Sequence, residues 1–200
     1  DNLDFTDGTS FSTTAPSTHS FKRTLNQLVI IDGKLKLIPV LESIPRHLFF
    51  DLPNLKTIEL PNSITTIEDN AFNGCTALTT ITIPDSVTSI LMHAFYYSGL
   101  QGININIGES SQLETIQEYA FAFTGLQSII IPSGVTILDK GLFQGCTELT
   151  SITIPDEVTR IGENLFDGCS KLASITIPDN VISIGSHAFS NCSSLTERVI

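Results

Sequence analysis

Residues 149–171 read LTSITIPDEVTRIGENLFDGCSK, and this stretch decides the fold. Counted from Leu149 as position 0, apolar side chains occupy positions 3, 5, 9, 12, 16 and 17, and a cysteine occupies position 20. Residues 172–194 repeat the pattern at every one of these positions. Self-similarity at a period of about 20 to 50 residues indicates a repeat architecture.

The repeat continues toward the N-terminus and covers most of the chain. One unit of this size cannot bury its own apolar side, whereas stacked units cover one another, so the sequence predicts a solenoid over 28–200. Seven units are recognisable, at 32–54, 55–77, 78–99, 100–125, 126–148, 149–171 and 172–194.

Each unit is predicted to hold two short strands. Ser151, Ile152 and Thr153 alternate polar and apolar residues, which is the period of a half-buried strand. Pro155 has no N–H to donate and ends this strand. The run 158–161 is a second β-rich segment. Strands that recur at one position must be parallel, and their connections are expected to be right-handed.

The segment before each cysteine is expected to form one helical turn, as at Leu165-Phe166. The predicted fold class is therefore α/β and β-rich: a solenoid of parallel strands and short helical turns. A phenylalanine at position 17 of every unit predicts a spine of stacked rings through the core. Its members are Phe49, Phe72, Phe95, Phe121, Phe143, Phe166 and Phe189.

The pattern resembles the leucine-rich repeat of the BspA-like group of bacterial and protist surface proteins. The matching residues are L-x-x-I-x-I-P-x-x-V-x-x-I-G-x-x-A-F-x-x-C, as in Leu172 to Cys192. The resemblance implies a secreted or surface-anchored protein that binds a host protein or a neighbouring cell.

Composition excludes several classes of protein. The chain is 41% hydrophobic and 16% charged, which is unlike a disordered chain. A net charge of −11 and a pI near 4.6 argue against nucleic acid as a partner. No stretch is long and apolar enough for a membrane span. Residues 1–27 are rich in Ser and Thr and are expected to form a flexible lead-in.

The sequence predicts no catalytic centre, cofactor or metal. Phosphate loops, nucleophile elbows and metalloprotease motifs are absent. Histidines at position 15 occupy a variable position that is expected to be exposed, and they lie two or more coils apart. Cysteines at position 20 are interpreted as free buried thiols, with a disulfide between adjacent coils as the alternative. They are Cys75, Cys146, Cys169 and Cys192.

The outward positions 2 and 4 of the first strand form a candidate binding face. Solenoids bind partners on such extended faces, although threonine also simply suits strands. The candidate residues are Thr57, Thr80, Thr82, Asn104, Ser128, Ile130, Ser151, Thr153, Ser174 and Thr176.

A second candidate lies where units 78–99 and 100–125 lose the cysteine. Tyr97 and Phe123 replace the glycine found at position 19 elsewhere, and Tyr96 is adjacent. Exposed aromatic residues are enriched in interfaces. The alternative is that the rings fill volume that Cys and Gly vacate.

The leading interpretation is thus a non-enzymatic interaction module, secreted or on a cell surface, that binds a protein or glycan. A structural spacer within a larger surface protein and an enzyme with an unrecognised site are the alternatives. Leu195 and Ile200 align with core positions and Arg198 with an inward Ile. This incomplete cap predicts weak self-association through the C-terminal coil or, as the alternative, a repeat array that once continued into more sequence.

Overall fold

The computed structural model describes residues 3–4, 10–11, 28–31, 34–37, 41–101 and 111–199. All regular structure within these ranges is short β-strand. The strands are β1 Leu3–Asp4, β2 Ser10–Phe11, β3 Leu28–Ile31, β4 Lys34–Leu37, β5 Ser43–Ile44, β6 Thr66–Ile67, β7 Ser89–Ile90, β8 Thr115–Ile116, β9 Ser128–Ile130, β10 Ile137–Leu138, β11 Ser151–Thr153, β12 Arg160–Ile161, β13 Ser174–Thr176, β14 Ser183–Ile184 and β15 Glu197–Val199.

The strands at positions 11 and 12 stack in parallel from coil to coil. They form one sheet in the order β5-β6-β7-β8 and another in the order β10-β12-β14. Ile67 pairs with Ile44 on one side and with Ile90 on the other, so equivalent positions are in register. This register confirms the predicted parallel solenoid; the right-handed connection stays a prediction.

The first strand of each coil is regular only in the C-terminal half of the described solenoid. There β9 pairs in parallel with β11, and β13 pairs with β15. In units 55–77 and 78–99 the equivalent segments form no strand, apart from an isolated bridge at Glu59. Single bonds at the coil boundary, such as Gln101 N–H to Thr79 O at 3.1 Å, join the coils on this side.

The predicted helical turn before the cysteine is wrong, and a ladder of turns takes its place. His47, Phe49 and Asp51 donate their N–H groups to carbonyls of the next coil, at 3.1, 2.9 and 2.7 Å. The intervening N–H groups of Leu48 and Phe50 bond within the coil, three residues back. Alternate N–H groups thus point out of the coil, which an α-helix does not permit.

A left-handed backbone at positions 15 and 19 causes this alternation. Every described residue at these positions has a positive φ, between 54° and 80°. Two such residues four apart turn the chain twice and prevent a continuous helix. Position 15 holds His47, Asn70, His93, Tyr119, Gly141, Asn164 and His187, and position 19 holds Asp51, Gly74, Tyr97, Phe123, Gly145, Gly168 and Asn191.

The predicted phenylalanine spine is confirmed. Neighbouring rings stack with centroids 5.1 to 6.0 Å apart and nearly parallel planes. Six of the seven rings are fully buried, and only Phe189, in the last coil, is half-buried. The spine lies against the isoleucines and leucines of the two strand sides, which form one continuous core.

The two ends of the chain carry further strands. β1 pairs with β2 and β3 with β4, both antiparallel. The other residues of the predicted lead-in 1–27 lie outside the described ranges, so its flexibility and its boundary stay predictions. At the other end β15 pairs with β13 and places Arg198 opposite Ile175, as aligned from the sequence. Ile200 lies outside the described residues.

Candidate interaction surfaces

The polar residues predicted on the first strand do form an exposed face. The alternation is visible in β11, where Ile152 is buried between the exposed Ser151 and Thr153. We call this surface the strand face. Its described members, all exposed, are Thr57, Thr80, Thr82, Ser128, Ile130, Ser151, Thr153, Ser174 and Thr176. Asn104, also predicted here, lies outside the described residues.

Hydroxyls of the strand face differ from the hydroxyls elsewhere on the solenoid. At position 10 the threonine Oγ1 donates to a carbonyl of the preceding coil: Thr65 to Glu42 at 3.0 Å, Thr88 to Thr65 at 3.2 Å. The strand-face hydroxyls make no such bond to any part of the chain that the structure describes. They are therefore free to bond to a partner.

An aliphatic side chain interrupts this polar array. Ile130, in β9, is 71% exposed and lies beside Thr153 of β11. Burying such a side chain against a partner releases about 25 cal/mol for each Å² of apolar surface. The hydroxyls and the exposed isoleucine offer hydrogen-bonding groups and apolar surface side by side.

The predicted aromatic residues pack together on the turn side, away from the strand face. Tyr97 stacks on Phe123 with centroids 4.9 Å apart, and Tyr96 contacts both edge-on at 5.0 and 5.4 Å. Two residues that the sequence did not single out complete the cluster. His93 stacks on Tyr119 at 5.2 Å and meets Tyr96 edge-on at 5.0 Å. We call these five residues the aromatic patch.

Glycines in the following coil make room for the patch. A Cβ added to Gly141 would lie 2.2 Å from Cε1 of Tyr119, and one added to Gly145 would lie 2.4 Å from Cδ1 of Phe123. Both rings therefore pack directly against backbone that carries no side chain. Tyr96 and Phe123 are half-buried in this packing, whereas Tyr97 stays 52% exposed.

Four residues of the patch adopt a backbone conformation that is energetically unfavourable for bulky side chains. His93, Tyr97, Tyr119 and Phe123 have φ between 54° and 58°. Equivalent places elsewhere hold mostly Gly and Asn, which adopt this conformation readily, whereas a bulky side chain costs about 1–2 kcal/mol there. Strain of this kind is concentrated at functional sites. This signal is present in the sequence, since the equivalent positions can be aligned.

Charge around the patch is mainly negative. Burial lowers the pKa of His93, while the carboxylates of Asp69 and Glu118 act in the opposite direction. Burial also raises the pKa of Tyr96, and the neighbouring Tyr97 and Tyr119 raise it further. The patch is thus a neutral aromatic surface bordered by acidic groups.

The cysteines are free and buried, as predicted. The thiol of Cys75 contacts the carbonyl oxygen of Phe49 at 3.0 Å, and the other three contact a phenylalanine carbonyl of the preceding coil in the same way. Burial raises the pKa of Cys75 to about 12 and that of Cys146 to about 11. Protonated thiols of this kind are inert rather than nucleophilic.

Histidines at position 15 are separated along the solenoid. His47 and His187 are exposed, as expected, but His93 is half-buried because the tyrosines pack on it. Over the described residues, no group of three or more His, Cys, Asp or Glu side chains is arranged to hold a metal ion. The same ranges contain no helix that is long and apolar enough to cross a membrane.

A family model described as the BspA type leucine-rich repeat region, in six copies, matches residues 42–146 and 114–200. The matched segments together cover residues 42–200, which is most of the chain. This chain belongs to the BspA-type leucine-rich repeat family. The family is one of protein-interaction and surface modules, and its repeat is a scaffold for binding.

Solved structures agree with the family. A leucine-rich repeat protein from Bacteroides ovatus is 28% identical over 87% of this chain, with a TM-score of 0.72. A leucine-rich cell surface protein from Faecalibacterium prausnitzii is 26% identical over 82%, with a TM-score of 0.59. A leucine-rich repeat protein from Eubacterium ventriosum, 24% identical over 86% with a TM-score of 0.59, shares the fold.

The chain spans only part of these relatives. It covers 44% of the Bacteroides protein, 58% of the Faecalibacterium protein and 51% of the Eubacterium protein. No curated protein matches it.

Proposed function

We propose that this chain is a non-enzymatic interaction module, secreted or on a cell surface, that binds a protein or glycan surface. The free hydroxyls of the strand face carry the proposal. Where hydroxyls stabilise the solenoid, they bond to the preceding coil, as Thr65 and Thr88 do. The strand-face hydroxyls make no such bond, so stabilisation of this kind does not account for them.

The family relationship supports the proposed location. A relative from Faecalibacterium prausnitzii is described as a cell surface protein. Acidic composition and a low share of charged residues are compatible with an extracellular solenoid. Protease treatment of intact source cells tests this part, because a surface protein is cleaved without lysis and an internal one is protected.

Arrays of matrix proteins and glycans test the binding directly. Ile130→Lys combined with Thr153→Lys places two bulky cations on adjacent strands of the strand face. We expect the unchanged chain to be retained and the double variant to lose at least about tenfold in affinity. Thr147→Lys is the matched control, because Thr147 is exposed on a different side of the solenoid.

Each outcome of these experiments leads to a different conclusion. If the double variant bound with unchanged affinity, the binding surface would not be the strand face. Failure of the unchanged chain to bind any array would favour the structural spacer instead. Turnover of an offered substrate would contradict the non-enzymatic role.

A further inference from the structure

The aromatic patch borders a notch in the turn ladder. At position 19 the first three coils carry Asp51, Gly74 and Tyr97 in succession. Gly74 has no side chain, so the ladder has a gap one coil wide between the carboxylate and the ring. The phenylalanine rings of the same coils are 5.1 and 5.2 Å apart, so the backbone positions of Asp51 and Tyr97, two coils apart, are separated by about 10 Å.

The two walls of the notch have different chemistry. One face of the Tyr97 ring stacks on Phe123 of the next coil, so its other face lies on the side of the preceding coil, where position 19 is Gly74. Tyr97 is 52% exposed as a result. On the other wall, Oδ1 of Asp51 would lie 3.3 Å from a Cβ placed on Gly74, so the carboxylate borders the gap directly.

The carboxylate of Asp51 is not neutralised by the chain. It makes no ion pair or side-chain hydrogen bond with any residue that the structure describes. Besides Asp51, the turn segments 45–51, 68–74, 91–97 and 117–123 hold three carboxylates and one Lys or Arg side chain; they are Glu68, Asp69, Glu118 and Arg46. The field at the notch therefore favours a positive ligand.

We propose that the notch over Gly74 binds an arginine side chain of a protein partner. A guanidinium is planar, stacks on the face of an aromatic ring and is attracted by a carboxylate. Tyr97 offers its ring to the face of the guanidinium from one wall, and the carboxylate of Asp51 faces the positive charge from the other. This inference rests on the proposed interaction function and narrows the partner to a protein with an exposed arginine.

The chain contains a built-in reporter for this site. It has no tryptophan and three tyrosines, and all three, Tyr96, Tyr97 and Tyr119, belong to the aromatic patch. Intrinsic tyrosine fluorescence therefore reports on the patch without labelling. The probes are Ac-(Gly-Arg)4-NH2, the matched lysine and glutamine peptides, and a neutral cello-oligosaccharide.

Filling the notch is the decisive variant. Gly74→Asn places a side chain in the gap, and asparagine adopts the required backbone, as Asn191 does at the same position with a φ of 56°. The added Cβ would lie 3.2 Å from Cα of Asp51, a contact that a shift of a few tenths of an ångström relieves. Gly168→Asn is the matched control, because Gly168 has the same position and φ without an aromatic neighbour.

Charge and ring are tested separately. Asp51→Asn removes the charge at constant shape, with the exposed Asp156→Asn as its control. Tyr97→Asn removes the ring and keeps a side chain suited to the backbone. We expect the arginine peptide to change tyrosine emission saturably, and each of the three notch variants to weaken its binding by at least about tenfold. The two control variants should stay within about twofold.

Several results would overturn the proposal. One is an arginine-peptide affinity that Gly74→Asn leaves unchanged, because binding would then lie elsewhere on the acidic surface. An equal response to the lysine peptide would show that charge without stacking is sufficient. A response to the oligosaccharide with none to the arginine peptide would assign the patch to glycan. None of these affects the strand-face experiment, so the two proposals fail separately.

Discussion

Phe143 shows how much one residue of the spine contributes. It is fully buried between Phe121 and Phe166, with ring centroids at 6.0 and 5.7 Å. Phe143→Ala would leave a cavity that the neighbouring coils cannot close, so we expect a loss of about 3–5 kcal/mol in the free energy of unfolding. Denaturant titration measures this loss.

The control for this prediction is Phe189→Ala. Phe189 is half-buried and stacks on one ring of the spine, Phe166, so its replacement should cost clearly less. A loss below about 1 kcal/mol at Phe143 would mean that the ring does not belong to a packed spine.

The buried thiols give the stability a defined pH dependence. Burial raises the pKa of Cys75 from 9.0 to about 12 and that of Cys146 from 9.0 to about 11. Below about pH 8 the two thiols are protonated in both the folded and the unfolded protein, so no stability is lost there. Above pH 9 the unfolded thiols ionise and the folded ones do not, so unfolding becomes easier up to about pH 11.

Unfolding at pH 8 and pH 10.5 checks this expectation. Other side chains also ionise in alkaline solution, so the comparison is with the double variant Cys75→Ala and Cys146→Ala. The unchanged chain should lose about 1 kcal/mol per thiol and pH unit more than the variant. An identical loss in both proteins would show that the thiols are not buried.

The role of a residue could be predicted from the sequence where its position repeats from unit to unit. Phe49, Phe95 and the cysteines recur at fixed positions, so their burial followed from the pattern. The strand-face hydroxyls followed from the alternation around Ile152. The notch depends on a difference between coils, because Asp51, Gly74 and Tyr97 share a position but not a chemistry. Such a site appears only when coils are stacked.

At the scale of the element, the turn ladder requires a left-handed residue at positions 15 and 19. Gly168 tests this requirement well, because it has a φ of 80° and a Cβ there would meet only backbone of Gly145 at 3.5 Å. Because there is space for a Cβ at this position, any loss of stability reflects the backbone conformation. We expect Gly168→Ala to destabilise the chain by about 1–2 kcal/mol.

Thermal or denaturant unfolding of two variants separates backbone from packing. Gly168→Asn adds a larger side chain but suits the left-handed conformation, so it should cost less than Gly168→Ala. The reverse order would indicate that crowding rather than φ limits this position.

The helical turn was predicted wrongly for a reason visible in this element. An apolar pair before the cysteine, such as Leu165-Phe166, fits one turn of helix as well as a turn ladder. Asn164 and Gly168 flank that pair and carry the deciding signal, since both favour a left-handed backbone. The periodicity of apolar residues does not contain this signal.

At the scale of the whole molecule, the last coil leaves apolar surface uncovered. Ile182 is 86% exposed and Ile184 46% exposed, whereas Ile161, the counterpart of Ile184 in the preceding coil, is fully buried. An open strand edge with apolar side chains pairs readily with another chain. We expect weak, concentration-dependent self-association of the 200-residue chain in sedimentation experiments.

Ile182→Lys is the variant for this prediction, because it adds a charge to the exposed coil. Ile137→Lys, which is 45% exposed within the array, is the control. The first should abolish association and the second should not. A strict monomer over the accessible concentration range would contradict the prediction.

Binding of the labelled chain to the surface of whole cells or matrix tests the central claim most directly. An interaction module should bind saturably, and unlabelled chain should compete. The double variant Ile130→Lys with Thr153→Lys should fail to compete, whereas Thr147→Lys should compete fully. Absence of saturable binding, or equal competition by the double variant, would contradict recognition through the strand face.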